Sequence, residues 1–328
     1  MPMGKADVSL KGYLSNKERF ADLFNGYLFG GVQIISPHEL VEINNESNVI
    51  LPDKMGKKRE VSRFGDIRMK WQNEVEFAIL TTEFQDMVHY AMPVKSMILD
   101  SLCYIDQIRN IWSNIDSMEE KRKLGIGEIF SRFRKEDKLC PVIPMVFYYG
   151  DNWDGCLSLH DMFYENVIIP EDTYKSILSK YIPNYTINLF NPSKISDYSI
   201  FKTDLQIIFG MLQYREDKNA LRKYIFDNED FFSNMEYDVA LATGTMLRSN
   251  TWFDKALQKY SNDKEACDMC KAIDDMMMDS RMEGKIEGKI EGMILAYYEL
   301  GISPEIISTK MNLSIEDVKK ILSTVTNI

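Results

Sequence analysis

The chain has 328 residues, 45% of them hydrophobic and 27% charged, with a formal net charge of −11. That is the composition of a folded chain with a sizeable core and room for two domains. It excludes wholesale disorder and a protein that coats nucleic acid by bulk positive charge, so any polyanion site has to be a local basic patch.

The longest apolar runs, such as Pro141–Tyr149, fall well short of the roughly 20 residues a membrane helix needs. The Met1–Asp7 start has no apolar signal segment, so the expected compartment is the cytoplasm, with no membrane partner. Five cysteines, an odd number, agree with a reducing environment.

In chain order, Phe20, Leu23, Phe24, Tyr27 and Leu28 form a helical stripe within 16–29, with Asn16 as its N-cap and Gly30-Gly31 as its stop. Val32–Ile35 reads as a short strand before Pro37, and the polar stretch 44–62, with Pro52 and Gly56, as a loop. Arg63–Trp71 and Val75–Gln85 read as a hairpin whose strands are apolar enough to lie inside a covered sheet. Pro93 suits the first turn of a helix with the stripe Val94, Met97, Ile98, Leu102, Ile105 and Ile108. Val142–Tyr149 reads as a buried strand ending at Gly150, Tyr185–Phe190 as another, and the chain is helical from about Asp204 onward. Strands confined to the first 190 residues, with helices before, between and after them, predict an α/β core followed by a helical C-terminal region.

Near the end, Glu283-Gly-Lys-Ile, Glu287-Gly-Lys-Ile and Glu291-Gly-Met-Ile set Met282, Ile286, Ile290 and Ile294 on one slowly rotating helical face. Each glycine weakens that helix by about 1 kcal/mol relative to Ala. Small residues also admit a second helix closely, so the repeat predicts a packing or homo-oligomer contact. Ser303-Pro304 and Ser314–Asp317 read as two helix starts, the second a capping box with Asp in place of Glu. The pair they begin, near 304–311 and 315–323, is similar to a small helix-turn-helix. Residues 281–328 carry a net charge of −1, which gives DNA reading by this tail no electrostatic support.

The stretch 53–70 is the local basic patch. Lys54, Lys57, Lys58, Arg59, Arg63, Arg68 and Lys70 face only Asp53, Glu60 and Asp66, a net +4. Strand alternation puts Asp66, Arg68 and Lys70 on one side of the first strand and Glu83 and Gln85 on one side of the second, and a hairpin brings Asp66 opposite the Glu83 end. Two carboxylates on neighbouring strands beside cations suit Mg²⁺, which takes a few hard oxygen ligands and retains waters. They equally suit structural ion pairs, and spacing alone does not separate the two.

The ordered set Arg63-Phe-Gly-Asp66, Thr82-Glu-Phe-Gln-Asp86 and Tyr90–Lys95, with Asp100 and Tyr104 following, resembles the recombination-promoting nucleases, or YhgA-like putative transposases, a branch of the PD-(D/E)XK nucleases. Phe20–Asn25, Pro141–Gly150, Trp153–Gly155, Ser158–His160 and the Glu-Gly-Lys-Ile tail extend the resemblance over most of the chain. It implies an α/β, restriction-endonuclease-like core of order αβββαβ over 10–200, a helical extension over 201–280 and the repeat helix with its helix-turn-helix-like tail over 281–328.

The activity it implies is Mg²⁺-dependent DNA endonuclease chemistry in recombination, with DNA as partner. Asp66 stands as the motif aspartate, Glu83 as the second carboxylate, and Gln85 where many relatives have lysine. Asp66 and Glu83 would hold the metal, with the Phe84 carbonyl and Asp22 as further ligands. Gln85 would orient water, and Lys95 would bring positive charge to a phosphate. Lys57, Lys58, Arg59, Arg63, Arg68 and Lys70 would meet nucleic acid. Gly65, His89 and Lys95 stand where relatives often carry Arg, Asp and Arg, changes that bear on turnover more than on fold. The rival reading is a nuclease-fold module that binds nucleic acid or protein without catalysis.

Cys267-Asp-Met-Cys270 has no second pair and no neighbouring His, so it reads as two cysteines on a helix rather than a zinc site. His38, His89 and His160 are scattered, and His89, four residues beyond Gln85, reads as a packing residue. No phosphate-binding glycine motif occurs.

Overall fold

Asn16 starts the helix on which the first unit is built. In the computed structural model, which describes residues 5–43, 49–52, 58–61, 66–73, 75–115, 123–164, 170–248, 255, 258–262 and 266–325, its side chain accepts from the backbone N–H groups of Glu18 (2.9 Å) and Arg19 (3.2 Å). Two otherwise orphaned donors are thereby satisfied. The helix α2 (Lys17–Phe29) follows α1 (Lys5–Leu14) and closes on Gly30 at φ +59°, a left-handed conformation that favours glycine.

The strand expected at Val32–Ile35 does not form. The buried Asn25 side chain accepts from the N–H groups of Ile34 (3.1 Å) and Ile35 (2.8 Å) and donates to the Ile35 carbonyl (2.8 Å). One amide side chain occupies the backbone groups that a neighbouring strand would have used.

The sheet is built from β1 (Leu40–Glu42), β4 (Ile67–Asn73), β5 (Val75–Gln85), β6 (Val142–Tyr148) and β7 (Leu189–Phe190), in that spatial order. β4 is antiparallel to β1 and β5, whereas β6 is parallel to β5 and β7. The parallel step from β5 to β6 is spanned by α3 (Met92–Ser113), which begins with Pro93 in its first turn as expected. Part of the expected loop 44–62 is instead a separate hairpin, β2 (Val49–Pro52) with β3 (Lys58–Val61), in the register Val49↔Val61 to Pro52↔Lys58. The expected strand at Tyr185–Phe190 shrinks to Leu189–Phe190, because Ile187 bonds to Leu157 and Asn188 to β6 before the ladder begins.

β5 is covered on both faces. Phe84 reaches an aromatic core in which Phe147 stands 5.8 Å from Phe84, 5.4 Å from Phe190 and 5.8 Å from Phe209. Gly26 lets Phe201 join this core: a Cβ there would lie 2.3 Å from the ring. On the other face Ile79 packs with Leu102 and Cys103 of α3 and Val142 of β6. The apolar stripe expected on α3 is not its buried line, since Ile98 and Ile105 are exposed. Met92, Ser96, Asp100 and Cys103 lie beneath the helix instead, at the spacing of one helical face.

The chain divides into two compact units, Met1–Asp217 with Glu236–Lys255, and Lys218–Met235 with Ala256–Ile328. In the second, the Glu-Gly-Lys-Ile repeat lies within one unbroken helix, Met269–Glu299. Its Ile294 packs with Ile307, Val318 and Leu322 of the helices Pro304–Met311 and Ile315–Val325. The N-cap half of the expected capping box forms: Ser314 Oγ accepts from the Asp317 N–H at 3.0 Å, while the Asp317 carboxylate accepts from the Ser314 hydroxyl at 2.6 Å rather than from its backbone N–H. Met282 and Ile286 remain exposed. Cys267 is in a short strand, not a helix, while Cys270 is in the first turn of the long helix; both are buried free thiols.

Candidate active site

Pairing of Ile67 with Thr82, extended by a 2.8 Å bond from the Asp66 N–H to the Thr82 carbonyl, sets Asp66 across from Glu83. The Asp66 carboxylate accepts from the Phe84 N–H at 2.8 Å, which fixes it against the backbone of β5. On the same face, Gln85 donates its amide to the Phe84 carbonyl at 2.7 Å and more weakly to Glu83 Oε1 at 3.4 Å. The Phe84 carbonyl, expected as a metal ligand, therefore already uses one lone pair.

Lys95 reaches back from the first turn of α3 and places its ammonium on Glu83 Oε1. Behind Glu83 a small cavity is lined by Thr81, Ser96, Asp100 and Cys103. Asp100 is buried there and accepts from the Tyr185 hydroxyl at 2.6 Å. Burial pushes its carboxyl up to about 6, and the Tyr185 hydrogen bond opposes that rise. The Cys103 thiol is pushed up to about 11, also by burial, so it is no nucleophile at neutral pH.

Other expected site residues are placed elsewhere. Asp22, expected as a metal ligand, is 2% exposed and accepts from the N–H groups of Lys202 (2.8 Å) and Thr203 (2.7 Å) and from the Thr203 hydroxyl (2.7 Å). It anchors the segment entering the helix Leu205–Leu212. Arg68, expected at a nucleic-acid surface, is likewise 2% exposed and pairs with Asp106 of α3 at 3.7 Å. It shares the face of Asp66 and Glu83, but α3 covers that face at its position. Lys70, one strand repeat further, is half-buried. Lys58 and Arg59 lie on β3, while Lys57 and Arg63 are outside the described residues. His89 is exposed, and His160 bonds through Nε2 to the Ile182 carbonyl at 2.8 Å. Among the described residues, no group of three His, Cys, Asp or Glu side chains gathers for a metal ion.

Asp100 belongs to the resemblance, but nothing in the sequence shows its burial. A polar residue within an expected helical stripe is ambiguous until the covering strand is known. Tyr185, its partner, is 85 positions away.

Among the described residues no helix is long and apolar enough to cross a membrane. No curated protein and no solved structure matches the chain. A family model described as putative transposase, YhgA-like, matches residues 124–236. The match takes in β6 and β7 and leaves Asp66 and Glu83 outside it. Over those residues the chain carries the signature of the YhgA-like putative transposases, which supports the family resemblance read from its sequence.

Proposed function

We propose that the protein is a Mg²⁺-dependent DNA endonuclease of the recombination-promoting type, with a PD-(D/E)XK core formed by α2, β1, β4, β5, α3 and β6 and the β2–β3 hairpin inserted into it. The observation that carries this reading is the meeting of Asp66 and Glu83 across β4 and β5 with Lys95 on Glu83. Two carboxylates suit Mg²⁺, which takes few protein ligands and keeps its waters. Asp66 is fixed by the Phe84 N–H, and the bonds to Glu83 fall on Oε1, which leaves Oε2 for a cation. Asp22, engaged with Lys202 and Thr203, is not part of the set.

Bound between Asp66 and Glu83, Mg²⁺ would polarise a phosphodiester and lower the pKa of an attacking water. Gln85 has its amide group on the Phe84 carbonyl, so its own carbonyl oxygen serves to orient that water. Lys95 supplies the fixed positive charge that Gln85 lacks, arriving from the following helix rather than from β5, and it offsets charge building on the phosphate.

The test is cleavage of supercoiled plasmid with Mg²⁺ by the wild type, Asp66→Ala and Glu83→Ala. Both variants should lose cleavage while keeping the wild-type unfolding midpoint, and undiminished cutting by both would sink the assignment. The uncharged Gln85 favours a second reading, a binding module without turnover. That reading is supported if Mg²⁺ leaves the melting temperature unchanged and DNA binding persists in chelator.

A further inference from the structure

The edge of the sheet that carries Glu83 has a second feature, which the chemistry above leaves unused. β5, β6 and β7 run parallel, with Gln85 level with Tyr148 and Phe147 level with Phe190. The chain therefore leaves all three strands at one edge, where the start of β4 also places Asp66. Between the loops following β6 and β7 and the last turns of α2 lies a cleft of about 560 Å³. Ligands of open α/β sheets collect outside the carboxyl ends of the strands, in cavities of this size.

One side of the cleft is aromatic. Tyr27 meets Phe190 edge-on at 5.6 Å. Trp153 is held by its indole N–H on the Gly155 carbonyl at 2.9 Å and by edge packing on Tyr148 at 5.1 Å. Exposed Lys194 stands at the mouth. A polar cavity of about 380 Å³ shares Lys194 with the cleft and continues to Arg215. Arg215 donates to the Tyr149 (3.0 Å) and Gly150 (3.2 Å) carbonyls and pairs with Asp151, which Arg248 also reaches at 3.0 Å. One carboxylate thus lies between two guanidinium groups, and with Glu216, 3.6 Å from Arg215, the two carboxylates balance the two guanidinium groups, which leaves Lys194 as the cation facing the cleft.

We propose that this cleft is a subsite for an unpaired nucleotide in a single-stranded DNA segment that continues from Asp66 and Glu83. The base lies against Tyr27 and Trp153, and the phosphate is met by Lys194. Aromatic faces accept any base, and cations beside them follow the backbone. From β5 to β7 is two strand spacings, roughly 10 Å, and Tyr27 and Phe190 lie on the sheet face opposite Glu83, so the DNA segment passes around the carboxyl ends of the strands between the scissile bond and the captured nucleotide. A base in a duplex would have to be extruded first, so the subsite selects unpaired DNA. The proposal rests on the nuclease reading only for the direction in which the strand continues.

The experiment uses the full chain in chelator, with a fluorescein-labelled single strand of about a dozen nucleotides and the blunt duplex of the same sequence, read by anisotropy. The single strand should bind about tenfold more tightly than the duplex. Lys194→Glu should remove that advantage, and Trp153→Phe should lower it and remove the quenching of tryptophan fluorescence. Equal affinity for the two DNAs, or wild-type single-strand affinity in both Lys194→Glu and Trp153→Phe, overturns the subsite. Because the assay contains no metal, the two readings fail separately. Selective binding lost in Lys194→Glu without any Mg²⁺-dependent cleavage upholds the subsite and defeats the nuclease, whereas cleavage with unselective binding does the reverse.

Discussion

Lys95 and Glu83 come from consecutive elements and meet at the turn between them: the ammonium of the first helical turn of α3 lies on the carboxylate two residues before the end of β5. Both side chains are partly exposed, so the pair adds only about 0.5 kcal/mol to stability. Its value is in placing a cation where Gln85 brings none. Lys95→Ala is expected to lower plasmid cleavage at least tenfold while moving the urea midpoint little, and Lys95→Arg should recover part of the rate. A Lys95→Ala enzyme with the wild-type rate would remove this residue from the site.

Asp22 separates a structural carboxylate from the proposed catalytic ones. Its substitution by Ala removes a buried acceptor from two backbone N–H groups and a hydroxyl, a loss of about 3 kcal/mol. Urea denaturation should show that loss. Cleavage per folded molecule, measured well below the unfolding transition, should remain close to wild type, unlike that of Asp66→Ala.

Arg68 makes a similar distinction for DNA binding. Arg68→Ala opens a cavity at a buried position and leaves the half-buried Asp106 paired with Arg109 at 4.0 Å, which should cost about 3 kcal/mol. The slope of DNA affinity against salt should not change, because a charge beneath α3 releases no counterions from a phosphate. A slope reduced by about one would return Arg68 to the interface.

Asp100 gives the fold a pH dependence of defined sign. Its carboxyl is near 3.8 in the free chain and about 6 when folded, so between these values the folded chain holds the proton more tightly. The stabilisation is complete below about pH 4 and is lost as pH rises through about 6, to an extent of up to about 3 kcal/mol. Asp100→Asn keeps a partner for the Tyr185 hydroxyl and does not titrate. Urea midpoints from pH 4 to 7 should therefore fall less with rising pH in that variant, and parallel profiles would refute the assignment.

The sequence made visible whatever depends on neighbours in the chain. Asn16 and Gly30 bracket α2, Pro93 starts α3, Ser314 and Asp317 cap the last helix, and the alternation of β4 and β5 puts Asp66 opposite Glu83. It misled wherever a distant element decides the environment. Asp22 and Arg68 have the charges of site residues, yet Thr203 and Asp106 claim them in the fold. The apolar stripe of α3 suggested a buried face, but the helix turns Ser96 and Asp100 to the sheet and leaves Ile98 and Ile105 to solvent. Lys194, just beyond β7, comes to line the same cleft as Tyr27 and Trp153, a convergence no local spacing records.

β5 is paired to both β4 and β6 over Ile79–Thr82. Glu83 lies one residue beyond this stretch, which cannot open without breaking two ladders, and keeps its own ladder to Val146 of β6, while among the described residues β1 and β7 are the outer strands of the main sheet. Amide hydrogen exchange should show this as a gradient: Ile79 to Thr82 should exchange only in step with global unfolding, and Leu40 to Glu42 through local fraying. Glu83, proposed as a catalytic carboxylate, is then anchored directly next to the most stable stretch of the sheet, leaving substrate-driven adjustment to the loops beyond the strand ends.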